Sequence, residues 1–378
     1  MPYIKTVKSE FGTADFLSRM DKVKAAARAV GIDAVLVTPG ADLRYLTGYD
    51  AKALERLTCL VIPTHGDASI VVPNLEVLAA LASPIADLGL PVIGCGEGQD
   101  PYARVADLLP GALSIAVDDH MWASKVLRLK AAMPDADQQL AGGLIEPIRM
   151  RKDAREIAAL RRAGAAIDRV HAQVPALLRV GRTEREVGRD IAELIISEGH
   201  VSVDFVIVAA GANGASPHHD VSDYVIQFGD AVVVDIGGTM PDGYCSDCTR
   251  MYAVGDPGQE YLDKYDILFD AQKNSREMAK PGVSAGSVDA AARSHLDEHG
   301  LGELFIHRTG HGIGMQTHEE PYIYEGSPFL LEPGMAFSIE PGFYDEGRFG
   351  ARIEDIVVCT ETGIESMNNQ PHELVVVD

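Results

Sequence analysis

Four carboxylates in the second half of the sequence stand where a carboxylate is costly. Asp235 closes the apolar run Ala231–Val234, and Asp247 lies on the strand expected beyond a Gly/Pro-rich turn, in GYCSDCTR. Glu340 ends the apolar run of FSIEPG, and Glu354 sits in the middle of GARIEDIVV. Taking a carboxylate out of water costs several kcal/mol unless it is paired or bound to a metal. The Gly-rich segment HRTGHGIGMQTHEEP adds His307, His311 and His318. A single acid on a strand is ordinarily an edge or solvent-facing residue. Four acids on four apolar strands, beside a histidine-bearing segment, point instead to metal chemistry. Oxygen ligands with an imidazole suit Mn²⁺, Co²⁺, Zn²⁺ or Fe²⁺. Four carboxylates also carry more charge than one divalent ion balances, so two ions sharing bridging carboxylates is the natural reading.

The elements that must position these residues fall into two groups. The chain has 378 residues, long for one core, so two domains are expected. In the first part, FLSRMDKVKAAARAVG has helical spacing and stops on Gly31, while DAVLVTP, CLVIP and SIVVP read as short strands bounded by proline. This is an α/β domain over residues 1–147, closing near LIEPIRMRKD, where Pro147 and the basic residues Arg149, Arg151 and Lys152 mark the boundary. Residues 148–378 then open with a long helix whose buried stripe is Ile157, Leu160, Ala163, Ile167, Val170 and Val174.

This second part contains a repeat. VGRTEREVGRDIAELIISEGH and PGVSAGSVDAAARSHLDEHGL align without gaps, matching Gly181 with Gly282, Thr183 with Ser284, Val187 with Val288 and Gly199 with Gly300. Each unit reads as a turn, a helix cap, a helix and a glycine stop, followed by strands. The pattern predicts an α+β domain of two duplicated halves, each made of helices then antiparallel strands. The acids fall on equivalent strands of the two halves.

Net charge is −23 and the isoelectric point near 4.8, with the acids scattered. Such a surface argues against nucleic-acid or anionic-membrane partners. MPYIKTVKSEFGTADF has no apolar leader, and no apolar run approaches the ~18 residues of a membrane span. Five cysteines, an odd number, fit a reducing cytoplasm rather than a disulfide framework.

Other motif matches lack their structural context. CSDC, Cys245 to Cys248, straddles a strand acid, so its sulfurs face opposite sides; a redox motif should open a helix. GVSAG, Gly282 to Gly286, follows a helix and a Pro-Gly stop rather than the strand a nucleophile elbow needs. HEEPY carries Tyr322 where a zincin needs its second histidine.

Taken in order, VVVDIGG, GYCSDCTR, TGHGIG, FSIEPG and ARIED resemble the creatinase/aminopeptidase P/prolidase family of pita-bread-fold metallopeptidases, most closely its bacterial Xaa-Pro dipeptidases. ADLRYLTGY resembles that family's smaller, creatinase-like N-terminal α/β domain, so the likeness spans nearly the whole chain. The resemblance implies five metal ligands, Asp235, Asp247, His311, Glu340 and Glu354, with Asp247 and Glu354 bridging two ions. Asp235 and Asp247 lie one residue further apart than in several relatives, an insertion expected in the turn within GGTMPDG. Family habit favours Mn²⁺, while affinity order favours Zn²⁺ or Co²⁺.

The resemblance also places His218, in preference to His219, and His318 against the substrate, with His307 behind the ligands. Arg352, two residues before Glu354 and so on its face of the strand, would pair with the substrate or with a ligand acid. Gly310, Gly312 and Gly314 let backbone pass close to metal and substrate.

The implied reaction is hydrolysis of the Xaa-Pro bond of dipeptides. The ions activate water, His318 stabilises the oxyanion, and Glu340 carries a proton to the prolyl nitrogen. That nitrogen has no N–H for ordinary peptidases to grip. The alternative within the family is an aminopeptidase P acting on longer peptides. A metal-free amidinohydrolase or a non-catalytic binding protein of the same fold should have lost ligands, and all five are intact. A methionine aminopeptidase usually lacks the large N-terminal domain. The family also implies a homodimer in which one subunit's N-terminal domain closes the other's site.

Overall fold

The run Ala34–Val37, aliphatic throughout, forms the strand β1 around which the first sheet is built. The computed structural model describes residues 11–378; residues 1–10, on which the expectation of no apolar leader mostly rests, lie outside them. The chain separates into two compact units, the first ending at Arg149 and the second opening at Met150.

In the first unit, helix α1 (Thr13–Ala29) buries Phe16, Met20, Val23 and Ala27, residues three or four apart on one face. It stops just before Gly31, whose φ of 78° is the left-handed conformation that ends helices. Strands β1, β2 (Cys59–Pro63), β3 (Ser69–Pro73), β4 (Val92–Cys95), β5 (Ser114–Val117) and β6 (Asp137–Leu140) make one sheet in the order β4-β3-β2-β1-β5-β6. β1 runs antiparallel to β2 and parallel to β5, so the sheet is mixed. Pro147, read as lying near the domain boundary, is inside a helix, Gly142–Met150. It costs that helix one hydrogen bond without ending it.

The second unit shows the duplication directly. Helix α2 (Ala154–His171) starts on a capping box between Asp153 and Glu156 and buries Leu160, Ala163, Ile167 and Val170. It ends one turn earlier than its stripe suggested: Val174 opens a separate short turn but still joins the same core, and Ile157 is half-buried. Helix α3 (Glu184–Ser197) follows, then strands β7 (Ser202–Ala210), β8 (Ala231–Thr239) and β9 (Cys245–Val254). The second half repeats this with α4 (Gln259–Met278), α5 (Ala285–Glu298), β10 (Gly310–Gly312), β11 (Glu319–Ile323) and β12 (Ala336–Ile339). It continues with β13 (Gly342–Asp345), β14 (Phe349–Arg352) and β15 (Asp355–Cys359).

α3 and α5 each have 14 residues and are capped by the matched pair Thr183 and Ser284, whose hydroxyls accept from the backbone N–H three residues on. The same two residues bridge to Val225 and Leu330. The matched glycines Gly181 and Gly282 both have positive φ, and their N–H groups bond to the carbonyls of Ile226 and Leu331. Matched Val187 and Val288 are both buried. One strand departs from the antiparallel expectation: β17 (Val375–Val377), reached after β16 (Ile364–Ser366), pairs parallel with β9 at the edge of the sheet β17-β9-β8-β7.

β8 explains how an acid enters the interior. Val232, Val234 and Ile236 point to the core shared with α2 and α3. Val233 faces the opposite core, and strand alternation puts Asp235 on that same side.

Candidate metal centre

β8 does not end on Asp235 but continues to Thr239, so Gly237 and Gly238 are strand residues and the turn begins only at Met240. In the β8–β9 register Asp235 opposes Thr249, and Gly237 opposes Asp247. Opposed residues share a face, so both acids and Thr249 project to one side. A side chain at Gly237 would collide with the Phe205 ring and the Ser246 carbonyl. The glycine leaves the space in front of Asp247 clear.

The other half brings its residues from three directions. His311 is the middle of β10, flanked by Gly310 and Gly312, where any Cβ would run into the carbonyls of Ser338 and Glu320. Glu340 follows β12 directly, its N–H bonded to the Thr309 carbonyl. Glu354 is not in mid-strand: it lies in the break between β14 and β15, where the chain leaves a two-stranded hairpin for the sheet of β12. The break releases Glu354 from strand alternation, which a continuous strand would have imposed.

These elements converge on a cavity of about 1050 Å³. Its wall includes every residue singled out from the sequence: His218, Asp235, Asp247, His307, His311, His318, Glu340, Arg352 and Glu354. Ligand atoms of Asp247, His311 and Glu354 lie within 4.8 Å of one another. His311 Nε2 stands 3.1 Å from Glu340 Oε1 and 3.7 Å from Asp247 Oδ2. Asp235, Asp247, His311 and Glu354 are all buried, and Glu340 is nearly so.

One arginine offsets the acids. Arg352 Nη2 donates to Asp235 Oδ2 at 2.5 Å, its Nε to Thr249 Oγ1 at 3.1 Å and its Nη1 to the Tyr344 hydroxyl at 2.8 Å. Thr249 in turn donates to Glu354 Oε2 at 2.8 Å. His307 Nε2 lies 2.8 Å from the same Tyr344 hydroxyl, which places it behind Arg352 rather than at the acids. Asp235 Oδ1 and Glu354 Oε1 are fully buried and have no hydrogen-bond partner among the described residues. Four clustered carboxylates, one guanidinium and two orphaned oxygens are a donor set that fits hard divalent cations.

The electrostatics carry the same signature. Burial, then the charges of Glu354 and Asp235, push Asp247 well above the usual carboxylate range. Burial, then Glu340 and Asp235, do the same to Glu354. Burial also works to raise Glu340, but the hydrogen bond and charge of His311, with His307 and Arg352, outweigh it and hold Glu340 at about 2. His318 opens onto the cavity with its ring 3.9 Å from that of His311. Partial burial, then the charge of His311, lower it to about 4. It is therefore a neutral imidazole at neutral pH, with one N–H to donate.

His218 and His219 separate cleanly. His219 Nε2 is 2.8 Å from Glu184 Oε2, whereas His218 is exposed to the cavity and forms no hydrogen bond among the described residues. Nothing local marked Glu184 as part of the site. This buried residue at the start of α3 also accepts from the N–H groups of Ala210 and Ser222, from Asn213 Nδ2 and from Ser222 Oγ, at 2.8, 3.1, 2.9 and 2.6 Å. It thereby fastens the whole loop that carries His218. Glu184→Gln turns one acceptor into a donor facing donors. It is expected to cost about 2 kcal/mol of stability and roughly tenfold in kcat/KM through a looser His218 loop. Urea unfolding and peptidase kinetics check both, and an unchanged midpoint with unchanged kinetics refutes the fastening role. Tyr344 was equally unmarked, while Thr249 was within reach, since it lies two residues after Asp247 on the same strand face.

Comparison with known proteins agrees with this architecture. The profile of Metallopeptidase family M24 matches residues 158–361, and that of the Creatinase/Prolidase N-terminal domain matches residues 19–151. The crystal structure of dipeptidase PepE from Mycobacterium ulcerans is 51% identical with a TM-score of 0.93, covering 97% of this chain and 99% of that one. A recombinant prolidase from Thermococcus sibiricus is 35% identical with a TM-score of 0.90, covering 96% and 99%. An Xaa-Pro dipeptidase of Lactobacillus helveticus is 34% identical over 95% of this chain and 98% of its own length. The duplicated fold, the convergent acids and the matched profiles lead to one assignment: the chain belongs to metallopeptidase family M24 and is a metal-dependent peptidase.

Proposed function

We propose that the protein is an Xaa-Pro dipeptidase working with two divalent ions held by Asp235, Asp247, His311, Glu340 and Glu354. The observation that carries the ion pair is the cluster of four carboxylates with Arg352 as the one arginine paired to them among the described residues, and with Asp235 Oδ1 and Glu354 Oε1 left orphaned. Mn²⁺ suits a set so rich in carboxylates, with Co²⁺, Zn²⁺ and Fe²⁺ as alternatives. Support for the substrate comes from the relatives named Xaa-Pro dipeptidase and prolidase, each matched along nearly its full length.

When bound, the ions supply an activated water and a Lewis acid for the scissile carbonyl. The chain's own residues do the rest. Arg352 fixes Asp235 and, through Thr249, Glu354, so the acids keep their positions. His318, neutral at working pH, donates its N–H to the carbonyl oxygen as negative charge builds there. Glu340, with Oε1 tied to Ser338 and His311, carries a proton to the leaving prolyl nitrogen. His218, unbonded and facing the cavity, contacts the substrate from the loop that Glu184 fastens.

The test is release of free alanine from Ala-Pro and Ala-Pro-Ala, with chelator and with Mn²⁺ restored. Rapid release from Ala-Pro, lost with chelator and regained with Mn²⁺, is expected, and Ala-Pro-Ala should be a poor substrate. Preference for Ala-Pro-Ala would make the protein an aminopeptidase P. Full activity in chelator would end the metal reading. The homodimer belongs to the same proposal, and a fully active monomer on sedimentation would remove it. No helix among the described residues is long and apolar enough to cross a membrane.

A further inference from the structure

Helix α5 carries two histidines that take no part in the catalytic cavity. His295 and His299 are four residues apart, in RSHLDEHG, and so stand one above the other on one face. Their ring centroids are 4.5 Å apart, with the planes inclined by 43°. His299 Nδ1 lies 2.8 Å from the His295 carbonyl oxygen. A carbonyl only accepts, so that nitrogen carries the proton and donates, and Nε2 of His299 keeps its lone pair. Metal-binding histidines are oriented in this way, with one ring nitrogen anchored on a backbone carbonyl and the other left to coordinate. The His295 side chain makes no hydrogen bond among the described residues. His295 is half-buried and His299 exposed, so an ion can arrive from solvent.

The ring separation suits a shared ion. An ion about 2.0–2.1 Å from one nitrogen of each ring lies roughly 3.2 Å from each centroid, and centroids 4.5 Å apart then subtend about 90° at it. Neighbouring ligands of a square-planar or octahedral ion stand at that angle. The position on the helix acts in the same direction. His295 is in the last turn and His299 is the C-cap, where the carbonyl end of the helix dipole favours a cation. Asp297 and Glu298, between the two, add negative charge. The duplicated fold does not require the pair, because the matched positions of α3 hold Leu194 and Glu198.

We propose that His295 and His299 form a second metal site, on the surface, for one divalent ion of the class of Cu²⁺, Ni²⁺ or Zn²⁺. Imidazole nitrogens suit these ions, whereas Mn²⁺ prefers the carboxylate oxygens that dominate the catalytic cluster. Among the described residues no third ligand joins the pair, so water completes the coordination. Once one imidazole has bound, the other is held beside the ion by the helix, so losing either ring loses the chelate.

The probe is Cu²⁺–iminodiacetate, whose chelator leaves neighbouring positions of the ion open. Its binding to untagged protein with Mn²⁺ present is measured by calorimetry for wild type, His295→Gln, His299→Gln and the double variant. His120→Gln is the control, an exposed histidine with no histidine three or four residues away. Either single variant is expected to raise Kd about 100-fold. The double variant should bind no more weakly than the singles, and the control should stay within about twofold of wild type. Losses within about threefold in each single variant mark two independent imidazoles and overturn the chelate. A wild type no tighter than the double variant also overturns it. Equilibrium dialysis against free Ni²⁺ gives a second readout: wild type should hold about one ion more per chain than His299→Gln, and equal counts refute the site.

Discussion

Asp247→Ala and Glu354→Ala are each expected to lower kcat/KM on Ala-Pro by at least about a thousandfold, the loss of several kcal/mol of transition-state stabilisation. Bound metal should fall in parallel. Both side chains face the cavity from buried positions, and with His311 they bring ligand atoms within 4.8 Å of one another. Losing either removes a ligand that two ions would share, so neither ion keeps its coordination. Metal content measured beside turnover separates this from misfolding: the variants should keep the wild-type circular dichroism while losing ion and activity together. Near-normal rates in either variant would show that the two-ion assignment is wrong. Arg352→Met is a milder version of the same experiment, because it leaves every ligand in place and removes only the cation that orients Asp235 and Thr249.

The same charges make a second large effect, on stability. Burial and mutual repulsion raise Asp247 and Glu354 well above their ordinary values of 3.8 and 4.5. In the metal-free protein the native state then holds more protons than the unfolded state once pH exceeds those values. Stability contributed by these groups is present below the unfolded values and is lost as pH rises through the folded ones. Glu340, held at about 2, is ionised in both states above pH 4.5 or so and adds no slope there.

Asp247→Asn replaces the group with the neutral shape that the metal-free site prefers. At pH 7.5 the metal-free variant is expected to be more stable than metal-free wild type, with a higher melting temperature. The gain should shrink toward zero as pH falls below the unfolded value of 3.8, where wild-type Asp247 is protonated in both states. Added Mn²⁺ should reverse the order, stabilising wild type and leaving Asp247→Asn nearly unmoved. Thermal melts across pH, with and without Mn²⁺, make the measurement. A metal-free Asp247→Asn variant no more stable than wild type at pH 7.5 would show that Asp247 is not under strain. Activity and stability thus make opposite demands on this residue.

Much of the site was legible because ligand chemistry restricts residue type. Acids closing apolar strands, and a histidine between glycines, have few inexpensive explanations, so Asp235, Asp247, His311 and Glu340 stood out. The duplication was legible because each half must repeat the same turn, cap and glycine stop to repeat the same fold, and the matched glycines keep positive φ. Local reading failed where the local signal and the tertiary requirement diverge. Nothing around Pro147 marked the helix that runs through it, Gly142–Met150. Glu354 read as a mid-strand residue because its neighbours are apolar and β-branched, and nothing local marks the switch from one sheet to another.

The sequence by itself determined which groups carry charge, which strands bury them and how the two halves repeat, because side-chain type and hydrophobic period are local properties. Only the tertiary structure decided which charges meet. Asp235 is held by Arg352 from more than a hundred residues away, Glu354 is oriented by Thr249, and His219 is taken by Glu184 while His218 is left to the cavity. The reason is physical: pairing energy depends on distance through space, and the fold sets those distances by packing two sheets and their connections around one cavity.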